Sequence, residues 1–211
     1  YNGWADYVSY NLMDPRALVE DHEEGEEYPL RVTTAGIPEA VGSTVRVVEY
    51  NDLAAAEKVL ATRQIAALIL EPVLQNVGIV KPLPGYLEGL RALCDRYGTV
   101  LIFDEVKTGF RHALGGYQQI AGVLPDLCTF GKAVANGYPR GVVGGRKEIM
   151  ALCSDPDPKR RVVAAGADNG QPVGVAAARA SIGRLKSREA EVYGELERLG
   201  DGVVDPISDV R

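Results

Sequence analysis

At 211 residues, 46% apolar and 25% charged, the chain has the balance of an ordinary soluble globular domain, long enough to bury one sizeable core. A net charge of −6, with no basic block and no aromatic–basic interleaving, argues against a nucleic-acid partner, and no apolar run is long enough to span a membrane. Cys94, Cys128 and Cys153 are odd in number and lack C-x-x-C spacing, so they read as reduced cytoplasmic thiols and not as a disulfide framework.

The opening YNGWADYV has the character of a chain interior, and no basic segment followed by an apolar one marks a signal peptide. Residues 14–36 are polar, acidic and aperiodic, which predicts a surface loop. Its EDHEEGEE run reads as a solvated face, and His22 within it as a lone histidine. VRVVEY (45–50) is a short β-rich run. NDLAAAEKVLAT (51–62) has apolar residues at helical spacing behind Asn51 or Asp52 as a cap. QIAALILEP (64–72) predicts a buried strand stopped by Pro72. LPGYLEGLRALCDRYG (83–98) predicts an amphipathic helix from near Pro84 to Gly98. TVLIFDEV (99–106), LPDLCTFGKA (124–133) and GVVGG (141–145) supply three further strands. NGQPVGVAAARASIGRL (169–185) and SREAEVYGELERLG (187–200) predict helices, and the closing GVVDPISDVR breaks the helical pattern. Both ends therefore read as those of a partial chain.

Strands alternate with helices, and the strands are continuously apolar. That pattern predicts an α/β fold with a mainly parallel sheet flanked by helices on both faces. In such sheets ligands bind at the carboxyl ends of the strands. Two polar residues fall there: Asp104 ends the run TVLIF, and Lys132 follows LCTFG. A structural ion pair, or two unrelated loop residues, is the plain alternative to a site.

Three chemistries compete for the pair. A phosphate-binding P-loop needs Ser or Thr after the lysine and a glycine five positions before Gly131, but Ala133 and Asp126 stand there. Phosphoryl transfer on a nucleophilic Asp104 needs a second acid where Val106 stands, and further acids for Mg²⁺. A pyridoxal phosphate site needs one lysine amine, one carboxylate for the pyridinium nitrogen, and no metal.

The stretches YNGW (1–4), EPVLQNVGIVKP (71–82), LIFDEVKTGFR (101–111), PDLCTFGKAVANGYPRGVVGG (125–145) and NGQPVGVAAA (169–178) together resemble class III pyridoxal-phosphate aminotransferases. The resemblance is strongest to the glutamate-1-semialdehyde 2,1-aminomutase-like branch of fold type I. It implies a cofactor-binding large domain over 1–185 and, over 186–211, a helix leading toward a small C-terminal domain. It implies that Lys132 forms the cofactor Schiff base and moves protons, and that Asp104 pairs with the pyridinium nitrogen. Val106 and Tyr1 would pack on the two ring faces, Asn2 would lie beside them, and Glu71 and Asn76 would line the pocket. A small amino or keto substrate, a homodimer and a cytoplasmic enzyme follow from the same resemblance. Arg111 and Arg140 are less specific candidates for a carboxylate clamp.

Four positions depart from the family pattern: Asn2 replaces a histidine, Lys107 a common glutamine, Ala167 a threonine that reaches the neighbouring subunit's cofactor phosphate, and Asp168 an aromatic. With the family's phosphate-binding turn expected before residue 1, these departures keep a second expectation open, a non-catalytic homologue of the same fold.

Overall fold

The computed structural model describes residues 1–12, 23–166 and 169–208, with 202–208 described by backbone alone. A short helix α1 (Glu39–Gly42) precedes α2 (Leu53–Leu60). Strand β1 (Ala67–Leu70), helix α3 (Tyr86–Tyr97), strand β2 (Val100–Asp104), helix α4 (Tyr117–Ala121) and strand β3 (Leu127–Phe130) follow. Strand β4 (Val142–Gly145), the short α5 (Lys147–Met150), and the long α6 (Pro172–Ser187) and α7 (Glu189–Ser208) complete the order. The sheet runs β1-β2-β3-β4, parallel except for the antiparallel β3–β4 pair.

Local chemistry sets the helix ends. Asp52 caps α2, its Oδ1 accepting the Ala55 amide at 2.8 Å. Gly98 ends α3 at φ 75°, and its amide donates to the Cys94 carbonyl at 2.9 Å. On the side of the sheet facing these helices, Leu70, Leu101, Phe103 and Cys128 bury against Ala56, Leu60, Leu87 and Leu90. Phe103 has no exposed surface, so its truncation to alanine is worth about 3–5 kcal/mol.

At the amino end of β3 a single carboxylate fastens three elements. Asp126 accepts the Leu101 amide and Arg91 Nη1, both at 2.8 Å, and Arg146 Nη1 at 3.1 Å. Burial works to raise the pKa of Asp126, but the Leu101 amide and the two guanidiniums outweigh it and hold it below the usual value. This end of the sheet is locked, and the carboxyl end is left for loops.

The β-rich run VRVVEY stays out of the sheet: among the described residues Val48 pairs as an isolated bridge to Glu27. Two expectations need correction. The second sheet face is only partly covered, with Ile69 37% and Val143 55% exposed, since α2 and α3 both pack on the other side. Residues up to 208 do not break the helix: α7 runs to Ser208 and includes Pro206, two residues before its end. Residues 23–36 are turns and isolated bridges, whereas 14–22, including His22, lie outside the described residues.

Candidate active site

The parallel register builds the site. Leu70 pairs with Phe103, so the next residues, Glu71 and Asp104, lie side by side at the carboxyl ends of β1 and β2. Asp104 in turn pairs with Thr129 of β3. Both acids are buried, each 5% exposed. Asp104 Oδ1 accepts the Val106 amide at 3.1 Å and the Thr129 hydroxyl at 3.2 Å. Burial raises the Asp104 pKa and the neighbouring Glu71 charge adds to this, while the amide and hydroxyl act to lower it. Among the described residues no Lys, Arg or His side chain pairs with Asp104. A buried carboxylate of this kind calls for a cation.

Glu105, one residue on, has a different job. It is fully buried and points to the opposite side of the strand from Asp104. Its carboxylate accepts the Tyr117 amide at 2.6 Å, the Gln118 amide at 3.1 Å and the Thr108 hydroxyl at 3.1 Å. It therefore satisfies the first free amides of α4. A Cβ on Gly116 would lie 2.5 Å from Glu105 Oε2, and Gly116 sits at φ 80°, so glycine is required there. Of the two acids in FDEV, one faces the site and the other holds the fold.

After β3 the chain turns sharply. Gly131 is buried, and a Cβ there would lie 3.1 Å from Val106 Cγ1, which places Val106 directly against this turn. Lys132 follows at φ 42°, in the left-handed region that non-glycine residues seldom occupy. Its carbonyl accepts the Asn136 amide at 3.1 Å. The Lys132 side chain is exposed and forms no ion pair with a described residue. Asp104, Val106 and Lys132 are thus gathered on one edge, linked through Thr129 and Gly131.

Tyr1 reaches the same edge. Its main-chain nitrogen donates to Glu71 Oε1 at 2.8 Å, and its ring is half exposed. Asn2 Oδ1 is buried with no hydrogen-bond partner among the described residues. Trp4 beyond it is 91% exposed. Lys107 donates to Asn76 Oδ1, joining the loops after β1 and β2. Arg111 is exposed, and Arg140 lines an open polar pocket with Gly141, Asn169 and Gly170 where α6 begins. Ala167 and Asp168 lie outside the described residues. Thr129 is the site residue that sequence reasoning missed. Its signal was available: it lies two residues before Gly131, on the strand that parallel pairing sets beside Asp104.

This donor set fits pyridoxal phosphate. A buried carboxylate paired with no described Lys, Arg or His side chain, an exposed amine paired with no described carboxylate, and an apolar Val106 against the Gly131 turn are what the cofactor's pyridinium nitrogen, aldehyde and ring would need. The aminotransferase class-III family model matches residues 29–209, and the chain belongs to that family. A glutamate-1-semialdehyde 2,1-aminomutase of Pelotomaculum thermopropionicum is 46% identical over 177 residues, which are 83% of this chain and 40% of the relative. An ω-transaminase structure from Sphaerobacter thermophilus superimposes with a TM-score of 0.77 at 32% identity, over 88% of this chain and 42% of that one. A glutamate-1-semialdehyde aminomutase from Pseudomonas aeruginosa in complex with PMP gives 0.69 at 29% identity, over 86% and 39%. The chain spans about two fifths of the length of these relatives.

Proposed function

We propose that the protein to which this chain belongs transfers an amino group with pyridoxal phosphate, as an aminotransferase or a 2,1-aminomutase. The observation that carries the reading is the pairing of needs at one sheet edge. Asp104 is a buried carboxylate that no described Lys, Arg or His side chain pairs, and Lys132 is an exposed amine that pairs with no described carboxylate.

Asp104 would hold the proton on the pyridine nitrogen, with Oδ1 steadied by Val106 and Thr129. Val106 and Tyr1 would cover the ring faces, Asn2 would lie beside them, and Lys132 Nζ would hold the cofactor through its aldehyde. When bound, the cofactor supplies a protonated ring that withdraws electrons from the substrate carbon. Lys132 Nζ, displaced by the incoming amine, would then take the proton from that carbon and return it at the position that defines the product. The substrate is a small amino or keto compound, and a homodimer is the assembly we propose.

Burial pushes the Cys94 thiol to about 11 and the Cys128 thiol to about 12, which keeps both protonated and unreactive at neutral pH; a cytoplasmic location is part of the proposal. No helix among the described residues is long and apolar enough to cross a membrane.

The test is incubation with pyridoxal phosphate, borohydride reduction and peptide mapping. A pyridoxyl group on Lys132, lost in Lys132→Ala, is the expected result. A folded protein that gains no adduct at Lys132 would rule the reading out.

A further inference from the structure

Among the described residues, one side-chain hydrogen bond ties helix α7 to a distant part of the chain. The Tyr193 hydroxyl donates to the Phe110 carbonyl at 3.1 Å, across 83 positions of sequence. The other side-chain hydrogen bonds of α7 among the described residues stay close to the helix: Arg188 with Glu191, and Arg198 with Glu195. Tyr193 is therefore placed to report where α7 lies.

The residue it grips is unusual. Phe110 sits at φ 63°, a conformation that strains a bulky residue and persists only where its surroundings hold it. Its ring packs on Phe130, with centroids 5.4 Å apart and planes at 48°. The preceding Gly109 fits against the same ring, because a Cβ there would lie 2.6 Å from Phe130 Cδ1 and 2.7 Å from the Glu105 carbonyl. Phe130 is the last residue of β3, and Gly131 and Lys132 follow it. Lys132 also occupies the left-handed region, at φ 42°. Two non-glycine residues in that region are thus joined by one pair of packed rings, with a helix attached at the far end.

We propose that Tyr193 is a positioning residue that sets Lys132 through Phe110 and Phe130, so that the placement of α7 is felt at the amine. The Tyr193 hydroxyl holds the Phe110 peptide, the Phe110 ring holds Phe130, and Phe130 fixes the point from which the Gly131–Lys132 turn departs. This rests on Lys132 being the amine of the site, but the mechanical link is testable without cofactor. Coupling of this kind requires energetic evidence and not only adjacency.

The experiment compares the protein with Tyr193→Phe, which keeps the ring and removes only the hydroxyl, with Phe110→Leu, and with the double variant. The first readout is amide hydrogen exchange in the cofactor-free protein at Val134 and Asn136, whose amides close the Lys132 turn onto the Gly131 and Lys132 carbonyls. Tyr193→Phe should speed exchange there by about five-fold, the factor carried by one neutral hydrogen bond. The Leu101 and Asp126 amides at the locked end should not change. In the double variant the two effects should fall short of additivity, as coupled sites do. The second readout is the yield of pyridoxal phosphate addition to Lys132 at fixed pH, which should fall in Tyr193→Phe and not in a substitution at the locked end of the sheet.

Unchanged exchange at Val134 and Asn136, an equal rise at both ends of the sheet, or strict additivity would overturn the link. If exchange responds as expected while the unsubstituted protein gains no adduct, the link stands and the cofactor assignment fails.

Discussion

Thr129 donates its hydroxyl to Asp104 at 3.2 Å, across the β2–β3 register and on the face away from the main core. The bond stabilises the ionised form of a carboxylate that burial otherwise disfavours. Thr129→Val keeps the shape and removes the donor. Asp104 should then titrate at higher pH, read from its carboxyl carbon by NMR. Pyridoxal phosphate should bind about five-fold more weakly, the worth of one lost hydrogen bond near 1 kcal/mol.

Glu71 acts on the same group in the opposite sense. Its charge raises the Asp104 pKa, so Glu71→Gln should lower it. A carboxyl whose folded pKa is raised favours its protonated form in the fold. Its contribution to stability is full below the usual carboxylate range and is lost as pH rises through the folded value. Removing the neighbouring charge should reduce that loss. Any gain in stability is opposed by the charge lost opposite the Tyr1 nitrogen, 2.8 Å from Glu71 Oε1. The expected outcome is therefore a lower Asp104 titration in Glu71→Gln, read from the Asp104 carboxyl carbon by NMR.

Glu105 makes a prediction about folding with no counterpart at the site. Glu105→Ala leaves the Tyr117 and Gln118 amides and the Thr108 hydroxyl without their acceptor. A loss of about 2–3 kcal/mol is expected in urea unfolding. Gly116→Ala should destabilise through the same carboxylate, by collision and by its left-handed backbone.

Asp126 has its pKa held below the usual range, so its contribution is present at neutral pH and lost as pH falls through the folded value. Asp126→Asn should cost about 2–3 kcal/mol at pH 7, as expected for losing hydrogen bonds to charged groups. The penalty should shrink below about pH 4, where the unfolded chain's aspartates protonate. Thermal melts across that range would show the two proteins converging.

The parallel strands and their helices were legible because burial on one face and crossover by helices leave strong marks. TVLIF and LPGYLEGLRALCDRYG each carry their own period and stop signal. Asp104 and Lys132 stood out as polar residues at the ends of apolar runs. Thr129 did not, since a threonine inside a strand is unremarkable until register brings it opposite a carboxylate. The division of labour between Asp104 and Glu105 was hidden for a related reason. It depends on α4 arriving beneath β2, a tertiary fact that neither residue announces. VRVVEY, though β-rich, stays out of the sheet because β propensity is realised only when a partner strand lies alongside.

The exposure of Trp4 has an optical consequence. It is the sole tryptophan of the chain, it stands in solvent, and it follows shortly after the Tyr1 nitrogen that bonds Glu71. Its emission is therefore an unlabelled reporter on the segment that lies against the site edge. A blue shift would mark that segment becoming covered, whether by ligand, by another part of the protein or by a second copy.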